Sequence, residues 1–199
     1  MKTPYKRFAV IAIILVASIL LGVAVDLVWD KIDRNTHPDD HLQYVRKYAY
    51  EYNISEVVIF AVIKVESDFD TNAESVAGAR GLMQMLPSTF EWLTGDEHLG
   101  EHLHKDELFD PEVSIRYGTY YLNYLYQKFD RNMDTALAAY NGGEGNVAKW
   151  LADEQYSDGN GNLTDIPFEE TKNYVQKVNK EMKTYRNLYY KNSNEVNEE

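Results

Sequence analysis

The sequence predicts a mainly α-helical domain preceded by one N-terminal transmembrane helix. Apolar residues recur at helical spacing along most of the chain, and proline and glycine stand where helices would start and stop. Residues 8–25 form a run without a single charged side chain. With 199 residues and 44% hydrophobic content, the chain is long enough for one compact domain with an extension.

The uncharged run would span about 27 Å as a helix, which is close to the hydrocarbon thickness of a bilayer. Basic residues precede the run and Asp26 follows it, so the positive-inside rule places the N-terminus in the cytoplasm and the bulk of the chain outside. We therefore interpret residues 1–29 as a signal anchor that crosses the membrane through residues 8–25. A cleaved signal peptide is the alternative because Gly22-Val23-Ala24 resembles a cleavage site, but the length of the run favours retention.

Composition excludes several functions. The chain has no cysteine, so it has neither disulfides nor a thiolate metal site. Net charge is -12, and residues 30–199 carry 17 basic and 31 acidic residues. So acidic a domain is a poor nucleic-acid binder, because phosphate contacts need clustered Lys and Arg. A neutral or partly cationic ligand is easier to accommodate.

Helix signals follow one another beyond a short linker at residues 30–38. Asp39, Pro87 and Asp110-Pro111 are typical helix starts, and Asn141-Gly142-Gly143 predicts a break. Residues 55–67 also suit a buried strand, and periodicity does not decide between the two. Helices are expected at about 39–52, 55–67, 87–94, 110–129, 134–140, 145–151 and 168–189, before a polar tail at 191–199.

Two loops have residue spacings that resemble metal-binding sites, but the sequence does not favour a metal at either of them. His98, His102 and His104 have a spacing that suggests zinc, but nothing places nearby carboxylates as ligands, so exposed loop histidines are the better interpretation. The Asp and Asn spacing in residues 157–162 hints weakly at calcium without the full loop pattern. We predict no metal and no other cofactor.

Glu66 is the strongest single candidate for chemistry. It ends the segment 57–65, which is apolar at every position except Lys64. Partial desolvation would raise the pKa of this carboxyl, which is the condition for donating a proton near neutral pH. The alternative is that Glu66 is only the polar end of a buried helix.

Glu66 belongs to the first of four motifs that follow one another along the chain. They are Glu66-Ser67, residues 73–89 with Gly78-Ala79-Arg80-Gly81-Leu82-Met83-Gln84, then Ala139-Tyr140-Asn141, and finally Glu170-Thr171 with Tyr174-Val175. Together they resemble the lytic transglycosylases with a lysozyme-like fold. The resemblance implies that residues 39–190 form a lysozyme-like transglycosylase domain. It also implies that 55–67 is a helix with Glu66 on its last turn.

The same resemblance implies roles for individual residues. Glu66 would act first as the acid and then as the base. The expected substrate contacts are Ser75, Met83, Gln84, Tyr140, Asn141, Glu170 and Tyr174. Each also has a structural interpretation: loop braces for Ser75 and Gln84, core filler for Met83, a helix cap for Asn141 and a helix N-terminal charge for Glu170.

Other charged residues near Glu66 are assigned structural roles. Asp68 and Asp70 follow it into a turn, where Asp commonly hydrogen-bonds the local backbone, so neither is favoured as a second catalytic carboxylate. Arg80 is expected to form a fold-stabilising salt bridge.

The resemblance implies cleavage of the MurNAc-GlcNAc β-1,4 bond of peptidoglycan. The muramic acid C6 hydroxyl would be the nucleophile, and 1,6-anhydro ends would form. A hydrolytic muramidase of the same fold and a non-catalytic glycan-binding module are the alternatives. The expected partners are peptidoglycan glycan strands and the membrane, and the sequence identifies no cell-wall or secretion machinery.

Overall fold

The computed structural model describes residues 4–190, so the predicted polar tail at 191–199 lies outside the described residues. The chain forms two compact units that separate between Pro38 and Asp39, the position where the sequence predicts the second domain to begin.

The first unit is a single helix, α1, Pro4–Thr36. From Phe8 to Thr36 it is long and apolar enough to cross a membrane, with a mean hydropathy of 3.1 in its most apolar part. The helix continues seven residues into the segment predicted as a linker, so residues 30–36 are helical and only His37 and Pro38 remain outside it. Hydropathy falls at Asp26, but nothing in the following residues stops a helix.

The second unit contains seven α-helices and one short 3-10 helix among its described residues. They are α2 (Leu42–Tyr52), α3 (Glu56–Ser67), α4 (Pro87–Thr94), the 3-10 helix (Lys105–Phe109), α5 (Pro111–Lys128), α6 (Met133–Gly142), α7 (Glu144–Leu151) and α8 (Glu169–Tyr189). No strand occurs in residues 4–190, where only isolated β-bridges are seen. The prediction of a mainly helical domain is confirmed.

Segment 55–67 is a helix, and it forms the centre of the core. Every side chain from Val57 to Ile63 is buried. The helix α3 packs mainly against α8, while α5 packs against both α2 and α6. The end of α3 is therefore held from several sides, which fixes the position of Glu66.

A smaller apolar cluster joins α4 to α5. Met85, Phe90, Leu93, Leu108 and Tyr117 form it, and the rings of Phe90 and Tyr117 meet edge to face at 4.6 Å. This cluster holds the segment between Gly81 and Phe109 against the rest of the domain.

Two predicted boundaries were wrong. The helix α2 begins at Leu42 rather than Asp39, after His41 in the left-handed region. The helix α6 includes Asn141 and ends at Gly142, and Gly143 follows it with a φ of 85°. A Cβ at Gly142 would lie 2.9 Å from Thr171 Oγ1, so the absence of a side chain there permits close packing of α6 on α8.

Candidate active site

Glu66 lies on the last turn of α3 and is partly buried. The chain turns sharply just after it, since Asp68 and Phe69 both have positive φ, of 52° and 67°. The Ser67 hydroxyl donates hydrogen bonds to Leu82 O, at 2.8 Å, and to Ile63 O. The end of α3 is thus tied directly to the loop that carries the second motif.

Burial raises the pKa of Glu66 to about 7, and an interaction with the Tyr174 hydroxyl partly offsets this increase. Desolvation disfavours the carboxylate, whereas a hydroxyl donor favours it. At neutral pH a substantial fraction of Glu66 is therefore protonated. That is the state a general acid requires.

Two tyrosines from different helices lie next to this carboxyl. Tyr174 comes from α8 and Tyr140 from α6, and the pKa of each is raised well above 10 by burial and by the proximity of Glu66. Both phenols therefore stay neutral. Tyr140 Oη donates to Met83 O at 2.8 Å, whereas Tyr174 Oη is buried and has no hydrogen bond of standard geometry within the described residues.

Ser75 and Gln84 brace the loop between α3 and α4. Ser75 is exposed, and its hydroxyl oxygen accepts from Ala79 N at 3.0 Å. Gln84 adopts a φ of 45°, and its Nε2 donates to Ala73 O and Gly81 O, each at 3.0 Å. The Ser75 O–H and Gln84 Oε1 are the atoms left to contact a ligand.

Met83 does not line a groove with its side chain. The residue is completely buried, and it packs so tightly on α5 that a Cβ at Gly118 would lie 2.3 Å from Met83 Sδ. The burial of this side chain gives no support to the expected substrate contact of Met83, which stays a prediction. Its backbone is fixed instead, since the Met83 N–H donates to Ser114 Oγ and its carbonyl accepts from Tyr140.

Asn141 and Glu170 are exposed at the ends of two neighbouring helices. Asn141 directly follows Tyr140 in the last turn of α6, and Glu170 lies in the first turn of α8, one turn before Tyr174. In the part of the chain that the structure describes, neither side chain hydrogen-bonds to another residue. Their roles as substrate contacts stay predictions.

Arg80 is a structural residue, as expected. Its guanidinium bonds Glu74 at 3.0 Å and Asp106 at 2.7 Å, and it lies over the ring of Phe109. These contacts join the loop after α3 to the 3-10 helix.

An open groove of about 470 Å³ is lined by residues of α4, α5 and the start of α7. Its lining comprises Ser88, Thr89, Trp92, Tyr121, Gly143, Glu144 and Gly145. One lining residue, Tyr121, has its ring centroid 5.5 Å from that of Tyr140, the tyrosine next to Glu66. Sequence reasoning missed Trp92 and Glu144 as lining residues of this groove.

A second cavity, of about 230 Å³, lies near the other end of α6. It is lined by residues that include Asn132, Asp165, Lys172 and Val175. It shares no lining residue with the groove and contains none of the predicted site residues.

The three loop histidines each have a different partner. His98 pairs with Tyr120 Oη, His102 with Asp96 and His104 with Asp106. No group of three or more His, Asp or Glu residues is arranged to hold a metal within residues 4–190.

The Asp158 carboxylate serves the turn at residues 157–162. It accepts hydrogen bonds from Asn160 N, Asn162 N and Asn162 Nδ2. These bonds lower the pKa of Asp158 and occupy the oxygens that a calcium ion would need.

Comparison with known proteins identifies the family. The family model of the transglycosylase SLT domain matches residues 43–162, which is more than half of the chain. The chain belongs to the transglycosylase SLT domain family. This SLT domain is 33% identical over 151 residues to the soluble lytic murein transglycosylase of Salmonella typhimurium, covering 75% of this chain and 23% of that protein.

The match to a second relative extends over a longer part of this chain. The membrane-bound lytic murein transglycosylase C of Pectobacterium atrosepticum is 30% identical over 188 residues, covering 84% of this chain and 52% of that protein. The chain spans about a quarter of the length of the soluble relatives and about half of the membrane-bound ones.

The fold is shared with a solved structure. The 70 kDa soluble lytic transglycosylase of Escherichia coli superposes with a TM-score of 0.71 at 31% identity, covering 80% of this chain and 26% of that one. The prediction of a lysozyme-like fold is confirmed.

Proposed function

We propose that this SLT domain is a lytic transglycosylase that cleaves the MurNAc-GlcNAc β-1,4 bond of peptidoglycan. The observation that carries the proposal is Glu66, a partly buried carboxyl with a pKa of about 7 that lies next to Tyr140 and Tyr174. The names of the relatives supply the substrate class.

The reaction needs one acid and no water. Protonated Glu66 would give its proton to the glycosidic oxygen as the bond from that oxygen to C1 of MurNAc breaks. The C6 hydroxyl of the same MurNAc attacks C1 and releases its proton to the Glu66 carboxylate, which restores the acid. Because the attack is intramolecular, its effective molarity is high and no second residue must activate a nucleophile.

The nearby carboxylates support a one-carboxylate mechanism. Asp68 is exposed and ion-paired with Lys64, and Asp70 accepts a hydrogen bond from Asn72 N in the turn. Both serve local structure after the end of α3.

The remaining site residues would position the sugar. The Tyr174 hydroxyl has a free hydrogen-bonding capacity next to Glu66, and Gln84 Oε1 and the Ser75 hydroxyl are available at the loop. We assign Tyr174 to hold either the Glu66 carboxyl or a sugar hydroxyl.

The product distinguishes transglycosylation from hydrolysis. Purified murein digested by the full chain should yield muropeptides lighter by one water than those from a muramidase. Recovery of reducing ends alone would contradict the proposal.

Glu66→Gln should abolish product formation while glycan binding persists, whereas Asp68→Asn and Asp70→Asn should retain most of the activity. Unchanged turnover in Glu66→Gln would reject the assignment of the acid.

We also propose that α1 anchors the protein as a single-pass signal anchor with the catalytic domain outside. The length and hydropathy of α1 and the membrane-bound relatives support this.

The chain has no cysteine, so a single cysteine can be introduced as a reporter of topology. Tyr50→Cys, at an exposed site of the domain, should react with a membrane-impermeant maleimide on intact cells. Lys2→Cys is the matched control and should stay unlabelled. The reverse pattern would contradict this orientation.

A further inference from the structure

The helix α8 carries a charge opposite to that of the rest of the domain. Residues 39–170 contain 9 basic and 25 acidic residues, whereas residues 171–190 contain five basic residues and one acidic residue. Four of these five cations, Lys177, Lys180, Lys183 and Arg186, follow one another at three-residue intervals, and all four are exposed. These four residues form the cationic face of α8.

Most cations elsewhere in the domain have an acidic partner. Of the other ten Lys and Arg residues in residues 39–190, seven make ion pairs with Asp or Glu. In the described part of the chain, no member of the cationic face makes such a pair. The helix dipole accounts only for Arg186, which lies in the last turn. The cationic face is therefore available to an anion outside the chain.

The length of the cationic face suits an extended anionic surface. Lys177 and Arg186 are nine residues apart, which is about 13 Å along a helix. One phosphate or carboxylate group does not reach four cations over that distance. A bilayer with anionic phospholipids presents many such groups, and each Lys or Arg close to it favours binding by about fivefold.

The last turns of α8 lie where the chain enters the domain. Asp39 is the first residue of the second unit. Burial raises the pKa of Tyr185 and of Tyr190, and the charge of Asp39 adds to the increase at both, which places Asp39 near this end of α8. Tyr190 Oη also donates to Glu56 at 2.6 Å, which fixes the end of α8 to the start of α3. A membrane anchor that precedes Asp39 would therefore tether the domain close to the cationic face.

The candidate acid lies on the other side of α8. Tyr174, whose hydroxyl faces Glu66, belongs to the buried side of the helix, whereas the cations lie on its exposed side. Contact of the cationic face with lipid would therefore not cover Glu66. An anionic surface repels the acidic remainder of the domain, so the charge pattern also favours a single orientation.

We propose that the cationic face of α8 docks the domain on the anionic phospholipid surface of the membrane. The choice of a lipid surface rests on the proposed anchoring by α1. The docking itself does not depend on the reaction at Glu66.

The test uses the full chain reconstituted in vesicles, with one introduced cysteine that carries a fluorophore. Asn187→Cys places the reporter on the exposed side of α8, and a quencher is attached to the lipid headgroups of both leaflets. Phosphatidylcholine vesicles with about one third phosphatidylglycerol should quench the reporter, and pure phosphatidylcholine vesicles should not. Val76→Cys, in the exposed loop after α3, is the matched reporter and should stay bright in both. Equal quenching of Asn187→Cys in both lipids would overturn the proposal.

Two pairs of substitutions separate the cationic face from net charge. Lys180→Gln with Lys183→Gln should lower the ratio of docked to undocked domain about 25-fold, and quenching at Asn187→Cys should be lost. Lys105→Gln with Lys149→Gln changes the net charge equally at two other exposed lysines and should retain quenching. Equal loss in the two pairs would overturn the assignment to α8. All four lysines lack ion pairs in the described structure, so thermal unfolding should be unchanged in both variants.

The remaining outcomes separate a lipid surface from other anions and from the proposed function. Soluble poly(glycerol phosphate) should leave the quenching in place, and release of the domain by this polymer would assign the face to a wall polymer and overturn docking on lipid. The measurement requires no turnover, so it decides on docking even if no anhydro product is found. Reversed maleimide labelling on cells would overturn the orientation of α1 without changing the result in these symmetric vesicles.

Discussion

The hydroxyl of Tyr174 faces the carboxyl of Glu66 from α8, and it is a buried donor without a standard hydrogen bond in the described structure. Its interaction with the carboxylate form lowers the pKa of Glu66, opposing the increase that burial causes. The pair therefore sets the pH at which the acid loses its proton.

Removing that hydroxyl should move the pH profile. In Tyr174→Phe the pKa of Glu66 should increase above its wild-type value of about 7, so the protonated acid persists to higher pH. The alkaline limb of kcat/KM against pH should shift upward by a fraction of a unit to one unit. A shift toward acid pH, or no shift with full activity, would contradict the role of Tyr174.

Glu66 should also make stability depend on pH. Its pKa is about 7 in the folded protein and 4.5 as an isolated group, so the folded state binds this proton more tightly. Glu66 therefore does not lower the free energy of unfolding below pH 4.5. Above that pH the cost grows as pH rises toward 7, and it reaches its full size above pH 7. It amounts to about 3–4 kcal/mol at most.

Glu66→Gln removes this cost because Gln is a neutral isostere. We expect the variant to unfold at higher denaturant concentration than wild type above pH 7, and at nearly the same concentration below pH 4.5. Glu170→Gln, the same replacement at an exposed position of α8, is the control for the chemical change itself. A gain that is constant across the pH range would assign it to packing instead.

Local signals in the sequence predicted where α4 and α5 begin. Asp110 caps α5 by accepting from Glu112 N and Val113 N, and Pro87 starts α4, both as expected. These two caps depend on residues within a few positions of one another, which is the range over which capping acts. The helix that ends at Glu66 is different, because periodicity left residues 55–67 open between helix and strand and only the family resemblance implied the helix.

Features that depend on distant partners were not predictable. The Met83 side chain points into the core because Gly118, on another helix, leaves room for it. The groove brings Trp92 of α4 together with Tyr121 of α5 and Glu144 of α7, and no local pattern relates these positions. Periodicity reports which face of a helix is apolar, but it does not report which other helix covers that face.

Gly81 should be far less replaceable than Gly78, although both have positive φ, of 71° and 81°. A Cβ at Gly81 would lie 1.9 Å from Leu108 O, so Gly81→Ala must displace backbone and should cost about 3 kcal/mol or more. A Cβ at Gly78 meets nothing within 4 Å, so Gly78→Ala should cost only about 1 kcal/mol. Denaturant unfolding of the two variants measures the difference, and equal costs would show that the loop does not pack on Leu108.

Met83 and Gly118 should be energetically coupled if Met83 fills the core. Gly118→Ala would place its Cβ 2.3 Å from Met83 Sδ and 2.8 Å from Met83 Cβ, so overpacking should destabilise the domain by about 1–3 kcal/mol despite the better helix propensity of Ala. Met83→Ala alone should cost about 2–5 kcal/mol through the cavity it leaves.

The double variant decides between packing and substrate contact for Met83. In the double variant Met83→Ala with Gly118→Ala, the clash is absent and the added methyl occupies part of the cavity. Its free energy of unfolding should therefore decrease by less than the sum of the two single decreases. The difference should be at least about 1 kcal/mol. Additive effects would mean that the two side chains do not share this space. Met83 would then have to turn away from Gly118, as its predicted role as a substrate contact requires.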